Sequence, residues 1–173
     1  MDQQALSELV AKQEIRELAM LYSRGVDRKD GALLRSLYAE GSYDNHGKFF
    51  NGSAPDYCDF LERSFPYIHV SAHCICSHLV SVNGDEGEGE VQALAYHVIP
   101  DGKGGTVEDF MIVRYVDRYR KVDGRWLFAS RDVMFDHRTN NPIATPEGPS
   151  PSWTDDPGYT VLSSRLFARG AQA

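Results

Sequence analysis

Three of the chain's six histidines, His69, His73 and His78, fall within the ten residues 69–78, in a stretch that follows a helical pattern and opens a strand. Two kinds of chemistry suit such a cluster. Several imidazoles on one face could hold a metal. A single one could act as a base, provided that a carboxylate fixes its tautomer. Alternation along a strand from Ser71 puts His73, Ile75, Ser77 and Leu79 on one face, and Cys74, Cys76, His78 and Val80 on the other. His73 and His78 are thus expected to point to opposite sides, which disfavours a metal site and leaves His73 as the histidine to explain. Upstream, Asp27 closes the first helical pattern and Tyr22 stands five residues before it. Five residues turn a helix by about 140° net, so the two share a face only if the helix end unwinds, which Gly25 permits.

The elements that must position these residues are readable from periodicity. Residues 4–27 form a helix with Leu6, Leu9, Val10, Ile15, Leu18, Ala19, Tyr22 and Val26 at helical spacing. A second helix covers about 30–38, with Asp30 as N-cap and Leu33, Leu34 and Leu37 as its buried stripe. Gly41 ends that pattern, and residues 42–47 read as a short strand running into a turn. Ser53-Ala54-Pro55-Asp56 starts a third helix, which stops before Pro66. Four strands follow, at 71–82, 88–99, 106–121 and 126–136, with Asn83-Gly84 and Asp123-Gly124 as turns. The layout is α+β: three N-terminal helices packed on a curved, mainly antiparallel sheet, with a ligand pocket between them. Residues 1–137 form the domain. Residues 138–173, with five of the eight prolines, form a tail, with one short helix expected near 161–168, that could lid the pocket or wrap a neighbour through Trp153 and Tyr159.

Composition narrows the function. A 173-residue chain with 42% apolar and 25% charged residues fits one globular domain. The formal charge of −7, without a basic run, argues against a nucleic-acid partner. No apolar run approaches the ~20 residues of a membrane span, and the polar start lacks the layout of a signal peptide. Cys58, Cys74 and Cys76 make no disulfide framework. Cys74 and Cys76 point the same way on a strand, roughly 7 Å apart, so reduced thiols in a cytoplasmic protein are expected. Tyr43, His46 and Lys48 flank the short strand near the expected pocket mouth, a combination that suits a polar or phenolic ligand. Met111, Val113, Tyr115, Phe110, Phe128 and Phe135 are available for an apolar wall, depending on strand register.

Taken in order, Tyr22, Asp27, Leu37-Tyr38-Ala39-Glu40, Asp44-Asn45-His46-Gly47, His73 and Asp123-Gly124-Arg125-Trp126 resemble the SnoaL-like branch of the NTF2-like (cystatin-like) superfamily. The resemblance covers about residues 5–137 and is strongest to the group holding hexachlorocyclohexane dehydrochlorinase, scytalone dehydratase and bile-acid 7α-dehydratase. It implies a cone-shaped fold and a dyad in which His73 is the general base and Asp27 orients it and balances its charge. It further implies that Tyr22 sits beside the dyad, polarising a substrate oxygen or assisting a leaving hydroxyl, that Arg131 steadies a developing anion, and that His97 occupies a second histidine position. One departure is Ser77, where the family often has asparagine.

The resemblance therefore implies a cofactor-independent lyase in which proton abstraction is followed by loss of water, halide or a small carbonyl such as formaldehyde. The substrate would be small and hydrophobic, with aromatic and polycyclic compounds as candidates. Neither cofactor nor metal is needed for that step, and the sequence carries no Gly-rich phosphate loop, HExxH or paired CxxC. Catalytic residues are expected at His73, Asp27, Tyr22 and Arg131, and substrate contacts at Tyr43, His46, Lys48, His97, Met111 and Phe135. Homo-oligomers are expected, trimer before dimer. An isomerase or cyclase using the same base, and a binding module without chemistry, are the alternatives.

Overall fold

The computed structural model describes residues 2–146 and 156–170. Helix α1 (Gln3–Asp27) and the short α2 (Gly31–Ser36) lead into strand β1 (Tyr38–Asn45). A short β2 (Asn51–Ser53) and helix α3 (Ala54–Ser64) follow, then β3 (Val70–Asn83), β4 (Glu86–Pro100), β5 (Thr106–Val122) and β6 (Arg125–Ile143). The six strands make one sheet in the order β2-β1-β6-β5-β4-β3, antiparallel except for the parallel pairing of β1 with β6.

The local reasons match the sequence patterns. Asp30 caps α2, accepting from the Leu33 N–H at 3.0 Å, and Ser53 caps α3 with Pro55 in its first turn. Gly84 (φ 60°) turns β3 into β4, and Asp123 and Gly124 (φ 49° and 80°) turn β5 into β6, both being left-handed as a tight hairpin requires. Two strand boundaries differ from the pattern. β1 begins at Tyr38, with Gly41 (φ 72°) absorbing an irregularity between Tyr38 and Tyr43. β6 continues to Ile143, where residues 137–143 pair with β5 although they show no apolar alternation. The stretch near 161–168 carries a single 3-10 turn, Arg165–Phe167.

Amphipathic α1 lays Ala11, Ile15, Leu18, Tyr22 and Val26 into a core shared with α2, α3, Tyr119, Trp126 and Phe128. Fully burying an aliphatic side chain such as Ile15 or Leu18 is worth roughly 1.5–3 kcal/mol. Leu6, Leu9 and Val10, expected in that stripe, are 42–52% exposed, because the first turns of α1 reach beyond its packed partners. Gly25 does not unwind the helix, which stays regular to Asp27. Its role is contact: a Cβ there would lie 2.8 Å from Leu34 of α2. Gly25→Ala sets a propensity gain of about 1 kcal/mol against about 1–3 kcal/mol of overpacking. Net destabilisation is the expected outcome, read as a lower urea midpoint.

Register shifts shape the inner face of the sheet. In β3 the shift between Ile75 and Ser77 flips the alternation, so His73 and His78 both face inward, contrary to strict period two. In β6, shifts opposite Arg118/Tyr119 and Ile112/Val113 do the same for Arg131 and Arg138.

Candidate active site

Asp27 ends α1 and faces the start of β3. Its Oδ1 lies 2.7 Å from His73 Nδ1 and accepts from the Ser71 hydroxyl at 2.9 Å. Its Oδ2 accepts from the His73 backbone N–H at 2.9 Å. Burial alone would raise the Asp27 pKa. The hydrogen bonds and charge of His73, with the Ser71 hydroxyl, outweigh it and hold the carboxyl below its ordinary value. An ionised carboxylate only accepts, so Nδ1 carries the hydrogen and Nε2 is left as a lone-pair base. Among the described residues, no hydrogen bond reaches Nε2.

His73 stands in the wall of a cavity of about 650 Å³ between the helices and the inner sheet face. Apolar groups dominate the wall, including Met111, Val113, Tyr115 and Phe135, whereas Phe110 alternates to the outer face and Phe128 is taken up in the core. His97 is edge-on to His73, ring centres 5.2 Å apart. Burial, then the neighbouring His73, pushes the His97 pKa down to about 4, so it enters the wall as a neutral donor or acceptor. Among wall residues that the sequence patterns did not single out, Asp109 and Arg138 form a two-pronged ion pair at 2.7 and 2.6 Å.

A second polar chain reaches the same cavity. The Tyr22 hydroxyl lies 2.7 Å from that of Tyr57, Tyr57 lies 3.0 Å from His46 Nε2, and His46 Nδ1 lies 2.5 Å from Asp44 Oδ1. Burial raises the pKa of the Tyr22 and Tyr57 hydroxyls, which keeps both protonated. Tyr57 carries no spacing signal of its own; only its helical register brings it here.

Three expected site residues stand elsewhere. Tyr43 is exposed on β1 and bonds Asn51. Lys48 stands over the Phe49 ring, outside the cavity wall. Arg131 is wholly buried behind the wall, paired with Asp117. Of the two aromatic residues considered for a lid, Tyr159 packs under Arg24 and donates to Asp30, away from the cavity. Trp153 lies outside the described residues.

His78 faces inward but serves the core. Tyr119 donates its hydroxyl proton to Asp117, so its oxygen accepts from His78 Nε2 at 3.0 Å. His78 Nδ1 is buried with no partner among the described residues. Burial therefore lowers its pKa to about 4, since a second proton would bury an unpaired N–H. In the unfolded chain both His78 and His97 take up a proton near 6.5; in the folded one they do so only near 4. Between those values the unfolded state binds more protons. Stability is expected to fall as pH drops from about 6.5 to 4, by up to about 1.4 kcal/mol per pH unit for each group. Denaturant titrations across this window should show that slope, reduced by roughly half in His78→Gln.

A curved α+β sheet over an apolar cavity, with a carboxylate-backed imidazole in its wall, is an architecture of the NTF2-like type. The chain belongs to the SnoaL-like family, whose domain matches residues 7–132. No curated protein matches the sequence. Among solved structures, a Novosphingobium aromaticivorans protein provisionally described as a scytalone dehydratase superposes with a TM-score of 0.69 at 22% identity, over 81% of this chain and 95% of its own. The type 3 hexachlorocyclohexane dehydrochlorinase of Novosphingobium barchaimii gives 0.64 at 20%, over 83% and 97%. ActVI-ORFA of Streptomyces coelicolor gives 0.58 at 20%, over 72% and 96%. At these identities the likeness is one of fold. Among the described residues, no helix is long and apolar enough to cross a membrane.

Proposed function

We propose that this protein is a cofactor-independent lyase acting on a small, mainly apolar substrate, aromatic ones included, that carries a hydroxyl or another leaving group. The observation that carries the reading is the free Nε2 of His73, backed by Asp27 and presented to an apolar cavity of about 650 Å³. In the reaction His73 Nε2 takes a proton from carbon, or from the hydroxyl of a hydroxymethyl group whose C–C bond then breaks to release formaldehyde. The freed electron pair forms the new double bond, and the bond to the leaving group breaks. Asp27 stabilises the imidazolium that results. Tyr22 donates to the departing oxygen, and neutral His97 helps to orient the substrate without adding charge. The fold relatives named as a dehydratase and a dehydrochlorinase supply precedent for elimination in this architecture.

The test is incubation of the purified protein with hydroxylated and halogenated mono- and polycyclic compounds, in the presence of a chelator, followed by mass spectrometry. Loss of water, halide or formaldehyde that depends on His73 supports the reading. Products of unchanged mass point to an isomerase or cyclase. Ligand binding without any product, unaffected by His73→Gln, identifies a binding module.

A further inference from the structure

We propose that Asp44, His46 and Tyr57 form a second proton path that loads Tyr22 as the acid for an oxygen of the bound ligand. His46 stands beyond the end of β1 and His73 on β3, near opposite ends of the sheet order, yet both line one cavity. The cavity thus has two carboxylate–imidazole pairs, and only one is needed as base.

Hydrogen-bond direction gives the second pair its function. Asp44 is fully buried, and both its oxygens are engaged: Oδ1 with His46 Nδ1, Oδ2 accepting from Tyr38 at 2.7 Å. His46 Nδ1 therefore keeps its hydrogen, and only Nε2 can change state. When His46 is neutral, Nε2 accepts from Tyr57, Tyr57 accepts from Tyr22, and the cavity is offered only the lone pairs of Tyr22. When His46 is charged, Nε2–H donates to Tyr57, Tyr57 donates to Tyr22, and the Tyr22 O–H is free to donate into the cavity. The other groups around this chain are Arg131, over the Tyr22 ring at 4.3 Å, and Tyr115, edge-on to Tyr22. Both belong to strands of the inner sheet face and neither interrupts the chain.

In an elimination the C–O bond breaks as the oxygen takes the Tyr22 proton. Tyr22 is refilled from Tyr57 and Tyr57 from His46, so the leaving group departs as water and His46 ends neutral. The proton removed from carbon stays on His73, and solvent restores both histidines. The His46 side chain, 16% exposed, has that access. The direction of proton flow rests on the proposed elimination, but the switch in donor direction does not, and it can be read without turnover.

The probe is 4-nitrophenol at an alkaline pH where it is free as the phenolate. Calorimetry in buffers of different ionisation enthalpy counts protons exchanged on binding, and the absorbance of the complex shows whether the bound probe is still phenolate. Uptake of about one proton is expected, with the probe still anionic. That uptake should be retained in His73→Gln and lost in both His46→Gln and Tyr57→Phe. Tyr57→Phe removes a single hydroxyl and leaves His46 paired with Asp44, so it guards against a folding defect. Uptake unchanged in either relay variant, a neutral bound probe, or no binding by the wild-type protein overturns the proposal. Uptake that follows His46 while turnover ignores His73 would refute the lyase reading and leave the relay standing.

Discussion

Replacing His73 with glutamine should lower turnover of any substrate found by the product screen by about 10²–10⁴-fold, the range a positioned general base supplies. Binding should survive, because glutamine fills much of the same volume and the wall around it is apolar. Asp27→Asn is the sharper variant. The amide keeps the shape of the carboxylate and can still accept one bond. Its NH₂ group, however, prefers Nδ1 as an acceptor, which moves the imidazole hydrogen to Nε2 and removes the base. It also withdraws the negative charge that stabilises the imidazolium, so a loss of similar size is expected with little change in KM. Asp27 holds both the ring and the backbone N–H of His73 and the Ser71 hydroxyl. A thermal melt should accompany each rate measurement to separate chemistry from disorder at the start of β3. Wild-type rates in both variants would remove the dyad from the mechanism.

The pairing of Asp27 with His73 was legible only through the family resemblance. The patterns alone put Asp27 at the end of a long amphipathic helix and His73 at the start of a strand, and do not pair them. What sequence misjudged lies at register shifts. Strict alternation sets His78 opposite His73, but one extra residue near Cys76 returns it to the inner face. An extra residue in β6 likewise sets Arg131 inward, and its pairing with buried Asp117 keeps it behind the wall, where the resemblance implied a side chain at the developing anion. Bulges of this kind depend on how neighbouring strands accommodate curvature, and no residue type announces them. Tyr43 lies on the stretch of β1 that pairs with β2, where its side chain meets Asn51, and Lys48 lies in the turn between the two strands, over the Phe49 ring and outside the cavity wall. Tyr57 was hidden for another reason: a tyrosine on the buried stripe of α3 reads as core until its hydroxyl is seen between Tyr22 and His46.

Arg131 is where the largest loss of stability is expected. Its guanidinium, wholly buried, makes two 2.8 Å bonds to the equally buried Asp117 across β5 and β6. The rings of Tyr22, Tyr115 and Phe128 surround it at 4.1–4.3 Å. Arg131→Met preserves much of the packing but strands the Asp117 charge with only the Tyr119 hydroxyl, and removing one partner of such a pair costs about 3–5 kcal/mol. Against a typical 5–15 kcal/mol of total stability, that is a large share. The single variant should therefore unfold at much lower urea. Arg131→Met combined with Asp117→Leu removes both charges and should recover most of the loss. The double variant also separates two roles. Arg131 does not reach the cavity wall, so it can act on chemistry only through Tyr22. If the refolded double variant keeps its turnover, the arginine serves the fold alone. If it is stable but slow at unchanged KM, the cation behind the Tyr22 ring is setting that hydroxyl as an acid. A double variant no more stable than the single would show that the ion pair is not what holds β5 and β6 in register.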